Sequence, residues 1–181
     1  MAMVETQPPR LSLGPVRRAD GAELVQANRD SRDYHAPFAH PFITMEGFSE
    51  WFATLCTGAQ AAFVAREAGS GRIVGVTSLS QIFLKGFQSA YLGYYGMVAT
   101  AGRGLMTEAV RQTLAHAFTE IGLHRVEANI QPENLRSIAL VRRLGFRLEG
   151  FSPRYLRIGG QWRDHERWAL LCDDPRPGGM P

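Results

Sequence analysis

The 181 residues, 45% hydrophobic and 20% charged, hold enough apolar material for one well-packed core and fall in the single-domain range. A formal charge of +3, with Arg and Lys scattered along the chain, supplies no basic block for nucleic acid, and no apolar run is long enough to cross a bilayer. The N-terminus has no signal-peptide apolar region, which points to a cytoplasmic protein, and Cys56 and Cys172, far apart and without a partner motif, are expected as buried free thiols.

Residues 1–9 read as a disordered lead, 10–172 as a single domain, and 173–181, rich in Pro and Gly, as a flexible tail. Leu11-Ser12-Leu13 begins a short strand that Gly14-Pro15 would interrupt. A helix is expected from Ala19 to about Asn28 with Asp20 as its cap. A second is marked by Phe48, Trp51, Phe52 and Leu55, which recur at helical spacing. Between them, Ser31 to Thr44 is aromatic and rich in His and Pro; Tyr34, Phe38, Phe42 and Trp51 either line a site or pack as core.

Ala61 to Glu67 and Arg72 to Phe83 read as strands joined by the glycine turn Ala68-Gly69-Ser70-Gly71, and Tyr91 to Val98 as the next strand. The helix from Gly104 to about Ile121 buries Val110, Leu114, Ala117, Phe118 and Ile121 and ends at Gly122. Arg125 to Ile130 returns as a strand, Asn134 to Leu144 is helical with Gly145 at its end, and two strands meet across Gly159-Gly160. This order predicts an α/β fold, a mixed sheet covered by helices on both faces.

The most informative stretch is Ala101-Gly102-Arg103-Gly104-Leu105-Met106-Thr107-Glu108-Ala109-Val110, where two glycines open a helix directly after a strand. First-turn N–H groups have no intrahelical acceptor and lie at the positive end of the helix dipole, so they bind phosphate oxygens when no side chain blocks the approach. About thirty residues on come Asn134-Leu135-Arg136-Ser137 and then Leu144-Gly145-Phe146, separated by one helix.

This pairing resembles the acetyl-coenzyme A motif of the GNAT N-acetyltransferases, with Ala101 in the Gln/Arg slot, Gly104 on the motif glycine and Met106 in the Gly/Ala slot. Tyr91-Leu92-Gly93-Tyr94, Gly104-Leu105-Met106-Thr107-Glu108-Ala109, Arg143-Leu144-Gly145-Phe146 with Glu149-Gly150, and Gly160-Gln161-Trp162-Arg163-Asp164-His165 resemble the RimJ/RimL branch, which acetylates protein N-terminal amines. The resemblance implies a twisted central sheet of about seven strands and acetyl-CoA as cosubstrate. It places the pantetheine arm on main-chain groups of Tyr95, Gly96 and Met97, and the pyrophosphate over Gly102, Arg103, Gly104, Leu105, Met106 and Thr107. Asn134 is either a helix cap alone or a cofactor contact as well.

Acetyl transfer to an amine needs a deprotonated amine, a stabilised oxyanion and a protonated or solvated leaving thiolate. The slot in which many relatives carry a tyrosine acid holds Val141, so Ser137, three residues after Asn134, becomes the candidate acid, with an ordinary first-turn serine as the alternative. The slot in which some relatives carry a glutamate holds Asn129; Glu127, two residues earlier on the same strand face, is the nearest candidate base beside a solvent-facing reading, and a water chain would also serve.

No Cys or Ser stands in a covalent-nucleophile constellation, which implies direct transfer in a ternary complex. His35, His40, His116, His124 and His165 show no ligand spacing, so no metal is expected. The resemblance makes a protein N-terminal α-amine the favoured acceptor, with Tyr155, Trp162 and Asp164 of the late hairpin as candidate acceptor contacts or purely structural residues. An aminoglycoside or polyamine acceptor and a non-catalytic acyl-CoA sensor remain the alternatives, and either a monomer or a homodimer is compatible.

Overall fold

Strand segments separated by glycine turns build a single sheet, with the central strands Ala61–Glu67 and Ile73–Phe83 carrying runs buried on both faces. In the computed structural model, which describes residues 9–175, the strands are Leu11–Pro15 (β1), Ala61–Glu67 (β2), Ile73–Phe83 (β3), Ser89–Gly96 (β4), Arg125–Ile130 (β5), Arg147–Ile158 (β6) and Gln161–Leu171 (β7). The helices are Gly21–Asp30 (α1), Arg32–His35 (α2), Met45–Leu55 (α3), Leu105–Thr119 (α4) and Leu135–Arg143 (α5). Sheet order is β1-β2-β3-β4-β5-β7-β6, as expected for a mixed sheet of about seven strands.

One face is closed by α4 and α5, whose Val110, Leu114, Ile138 and Val141 pack on Leu79, Leu92, Val126, Ala128, Trp168 and Leu170. The other is closed by α1 and α3, where Leu24, Val25 and Phe48 cover Val64, Val76 and Met97. The helix–sheet contact near the centre depends on two glycines. A Cβ on Gly75 would run into the Tyr95 carbonyl and lie 2.5 Å from Met106 Sδ, and one on Gly96 would lie 2.8 Å from Met106 Cγ. The long Met106 side chain in the Gly/Ala slot is therefore accommodated by bare backbone on β3 and β4.

All neighbouring strands are antiparallel except β4 and β5, which the α4 crossover makes parallel. Their ladder is short, running only from Ser89 opposite Arg125 to Tyr91 opposite Glu127. Beyond it β4 continues to Gly96 and β5 to Ile130 without pairing to each other, so the sheet opens as a wedge on the side where α4 begins.

Several local expectations are corrected. Asp20 does not cap α1 with its side chain; a 3-10 turn over Arg18–Asp20 precedes the helix, and the Asp20 carboxylate instead accepts the Arg17 N–H at 2.7 Å and pairs with Arg66 at 3.0 Å. Gly14 and Pro15 extend β1 rather than interrupting it, because β1 is an edge strand and Pro15 needs no outer ladder bond. The Ser31–Thr44 segment contains the short α2. Cys56 and Cys172 are exposed, not buried, since each sits just past the end of an element, α3 and β7. The expected tail is anchored at its start, where Asp174 accepts the Leu171 N–H at 2.9 Å and pairs with Arg147. Residues 1–8 of the expected lead and 176–181 of the tail lie outside the described residues.

Candidate active site

The start of α4 is a row of donors without a protein partner built in. Gly104 takes φ +75° and offers no side-chain cap, and Glu108 N–H is the first to close on it, bonding the Gly104 carbonyl at 3.2 Å. The N–H groups of Leu105, Met106 and Thr107 therefore have no carbonyl one turn back, which is the condition for anion binding. The Leu105 and Thr107 side chains are buried, so these residues face the turn with their main chains alone. The Arg103 side chain is ion-paired with Glu67, while its carbonyl accepts Arg10 Nη2–H at 2.7 Å. The Ser70 hydroxyl, then Arg103, holds the Glu67 carboxyl below the usual range. Its positive charge is thus shared with a carboxylate rather than wholly available to a phosphate. The uncapped helix start and the open space beside Gly102 and Gly104 fit a pyrophosphate.

A cleft of about 210 Å³ lies between the end of β4, the first turn of α4, the start of α5 and α2. Tyr95, Gly96, Met106, Asn134 and Ser137 all line it, so the first turn of α4, the end of β4 and the start of α5 meet there, while Gly102, Arg103, Gly104, Leu105 and Thr107 are not in its lining. Asn134 is a true cap, its Oδ1 accepting the Ser137 N–H at 3.2 Å, and it borders the cleft as well. Tyr94 donates its O–H to the Ser137 carbonyl at 3.3 Å, and burial pushes its phenol up to about 12, so it stays protonated at neutral pH. Val141, in the tyrosine slot, is fully buried in the core, whereas Leu140 beside it lines the cleft with Arg136 and Ser137 of the same helix.

The opposite wall comes from α2 and the turn after it, which supply Asp33, Tyr34, His35 and Phe38. The Arg136 guanidinium reaches from α5 and lies over the Tyr34 ring at 4.9 Å. His35 is buried and its Nε2 lies 2.8 Å from the Gly96 carbonyl. A carbonyl only accepts, so Nε2 carries the proton and Nδ1 has no partner among the described residues. Burial lowers the imidazole pKa below its ordinary value, an effect the Gly96 bond partly opposes, so the ring is neutral at neutral pH. Of the four aromatic residues of this region, Tyr34 and Phe38 line the cleft, while Phe42 and Trp51 stack with Phe48 in the core.

Other sequence candidates stand elsewhere. Glu127 lies on the closed part of the β4–β5 ladder and pairs with Arg125 at 2.7 Å, outside the cleft lining. Arg125 also holds Glu149, whose pKa it lowers. Met97 spends its N–H on the Val74 carbonyl at 2.8 Å, so this amide belongs to the sheet. Asp164 accepts the Arg154 N–H at 2.7 Å and steadies the β6–β7 hairpin, Trp162 is exposed, and Tyr155 lies beside His165. None of these three borders the cleft, although the hairpin tip approaches the same loop: a Cβ on Gly159 would lie 2.9 Å from His40 Nε2. His124, Cys172 and Asp173, at the other end of β5 and β7, bring their ligand atoms within 4.8 Å of one another at exposed positions. Asp33, His35 and Arg136 were not picked out as site residues; the dense polar and aromatic content of 31–44 was the available signal for the first two, and nothing local marks Arg136.

Residues 10–147 match the Acetyltransferase (GNAT) domain. A probable N-acetyltransferase of Bacillus subtilis, YjcK, is 34% identical over 168 residues, covering 88% of this chain and 93% of that protein. The [ribosomal protein uS5]-alanine N-acetyltransferase of Escherichia coli is 42% identical over 106 residues, 59% of this chain and 55% of that enzyme. Among solved structures, Mycobacterium smegmatis RimJ in complex with CoA-disulfide superposes with a TM-score of 0.83 at 29% identity, covering 90% of this chain and 82% of that one. A Vibrio cholerae spermidine N-acetyltransferase at 21% identity shares the fold. With its uncapped helix start, open wedge and matching domain, the chain belongs to the GNAT acetyltransferase family and is an acetyl-CoA-dependent N-acetyltransferase.

Proposed function

We propose that the acceptor is the α-amine of a protein N-terminus, acetylated by direct attack in a ternary complex. The observation that carries this reading is the charge of the cleft: among the described residues Asp33 is the one carboxylate that lines it, and the Arg136 guanidinium stands beside it on Tyr34. A peptide N-terminus presents one ammonium followed by carbonyl oxygens, which matches one anion and one forked donor. A polyamine brings a second ammonium that Arg136 opposes; two like charges about 6 Å apart repel by roughly 1–3 kcal/mol at an effective dielectric between water and protein surface. The likeness to the uS5-alanine enzyme and to RimJ supports the same choice.

When bound, acetyl-CoA supplies an acetyl group activated as a thioester. The Leu105, Met106 and Thr107 amides and the turn from Gly102 hold its pyrophosphate, with Arg103 as a partly neutralised neighbour. Asn134 borders the arm and fixes α5, and the Ser137 hydroxyl donates to the leaving sulfur, a role left open by the loss of the tyrosine to Val141. Asp33 attracts the acceptor ammonium at the mouth. Proton removal goes to water there, because Glu127 is committed to Arg125 away from the cleft.

Thiol release from acetyl-CoA, measured against N-terminal peptides, spermidine and an aminoglycoside, tests the reading. Alanine- and serine-started peptides are expected to turn over, and Asp33→Asn to raise the peptide KM several-fold while leaving that for acetyl-CoA unchanged. Faster turnover of spermidine would overturn the acceptor, and CoA binding without turnover of any amine would identify a sensor.

A further inference from the structure

The end of β4 is gripped from outside the sheet. Met97 N–H bonds to Val74 of β3, and successive strand residues send their polar groups to opposite sides, so the Gly96 N–H and carbonyl face the side that β5 has vacated. The Gly96 carbonyl there finds His35 Nε2–H at 2.8 Å. Two residues on, the Val98 N–H bonds to Ser31 Oγ at 3.1 Å, and Ser31 and His35 are themselves joined by the bond from His35 N–H to the Ser31 carbonyl at 2.9 Å. One helical turn, Ser31 to His35, thus clamps the backbone at Gly96 and Val98. The imidazole cannot swing away freely: it is buried and meets the Tyr95 ring edge-on at 5.3 Å. From the far side Met106 closes on Gly96, where a Cβ would already be too near its Cγ.

We propose that His35 is a positioning residue of the acetyl transfer: its Nε2–H takes the place of the missing β5 partner and fixes the Gly96 peptide so that the Gly96 N–H points into the cleft at the thioester oxygen. The Gly96 carbonyl and N–H belong to successive peptide planes but leave the extended backbone on the same side; with the Gly96–Met97 plane held by His35 at its carbonyl and by Val74 at its N–H, and Tyr95 paired to β3, the Gly96 N–H is aimed to the side of the carbonyl. A donor aimed in advance at the oxygen on which negative charge develops acts on the transition state more than on the bound ground state. The unpartnered Nδ1 fits this role, since the ring is kept for one bond, whereas a histidine present only to fill space would gain by a leucine. The inference rests on the reading of this cleft as the transfer site but not on which amine is the acceptor.

The test uses His35→Leu, which loses the donor, and His35→Gln, whose amide N–H reaches about as far as imidazole Nε2. Acetyl-CoA carrying ¹³C at the thioester carbonyl is bound to each protein, and the isotope-edited infrared band of that carbonyl is recorded without any acceptor. Wild-type protein is expected to shift the band to lower frequency than in water-free solvent, His35→Leu to lose the shift while still binding CoA, and His35→Gln to recover most of it. In turnover with an accepted amine, His35→Leu is expected to lower kcat about tenfold or more with the KM for acetyl-CoA within twofold, and His35→Gln to recover it. A wild-type band and wild-type kcat in folded His35→Leu would overturn the proposal and leave His35 as a tie between α2 and β4. A normal band shift in wild-type protein together with no turnover of any peptide would instead sink only the acceptor reading.

Discussion

Replacing Gly104 by alanine separates what the helix start does for the fold from what it does for a phosphate. Gly104 sits at φ +75°, and Gly122, beyond the other end of α4, at +76°; a Cβ on either meets no protein atom within 4 Å. Each alanine variant therefore carries the same strain and no clash, about 1–2 kcal/mol for an L-residue in the left-handed region. Chemical denaturation should show nearly equal losses for Gly104→Ala and Gly122→Ala. Gly104, unlike Gly122, directly precedes the free N–H groups of Leu105, Met106 and Thr107, and its Cβ would take up part of the open space beside that turn. Loss of one hydrogen bond to a charged phosphate oxygen is worth about 1.5–3 kcal/mol, so CoA affinity by titration calorimetry should fall roughly tenfold to a hundredfold in Gly104→Ala and stay unchanged in Gly122→Ala. Wild-type affinity in a folded Gly104→Ala protein would refute the assignment of the pyrophosphate to this turn, and equal losses in both variants would show that only stability had been read.

Ser137→Ala is expected to lower kcat roughly tenfold with little change in the acetyl-CoA KM, seen in steady-state thiol release; an unchanged kcat returns Ser137 to the role of a first-turn residue. Gly75→Ala should destabilise the fold by about 1–3 kcal/mol in urea titration, because the new methyl meets the Tyr95 carbonyl, which cannot turn aside, as well as Met106; a neutral result would mean that α4 can lift from the sheet. Thr77 and Thr113 share a buried hydroxyl bond of 2.6 Å between β3 and α4, and Thr113→Val should cost about 1–2 kcal/mol by stranding the Thr77 oxygen. The His35 pKa is lower in the folded chain than its ordinary 6.5, so the unfolded chain takes up the proton first. Its contribution to stability is complete above about pH 6.5 and is lost as the pH falls through the interval beneath it. The urea midpoint of wild-type protein should therefore drop more steeply than that of His35→Gln on acidification, and parallel curves would contradict the buried neutral imidazole.

The two halves of the chain were unequally legible in sequence. Helical periodicity and glycine punctuation outlined the strands and the longer helices to within a few residues, and the Gly102–Gly104 turn and the Asn134 cap were readable as helix starts, because those features act over a single turn of backbone. The α2 wall of the cleft was not legible. Asp33 and His35 occupy a four-residue helix too short to show a period, and Arg136 finds Tyr34 only after α5 and α2 are brought together across the wedge. Glu127 lies on β5 as expected from the strand pattern, but the point where β4 and β5 part is set by tertiary packing and falls just past that residue, leaving it outside the cleft. The exposure of Cys56 and Cys172 has the same origin, since an element's end decides it rather than the residue type.

The three-residue parallel ladder also divides the sheet mechanically. On one side β1 to β4 hold each other by antiparallel pairs, on the other β5 to β7 do the same, and within the sheet only the join from Ser89–Arg125 to Tyr91–Glu127 unites the two blocks. Forming it brings residue 90 to residue 126 by way of a whole helix, whereas the β2–β3 and β6–β7 turns close over a few residues, so the seam costs more loop-closure entropy than either hairpin. In the native protein, this three-pair join is the shortest ladder linking the blocks, so partial opening should begin by parting them there, exposing the Ala90 and Glu127 amides to exchange while the hairpins on either side remain intact.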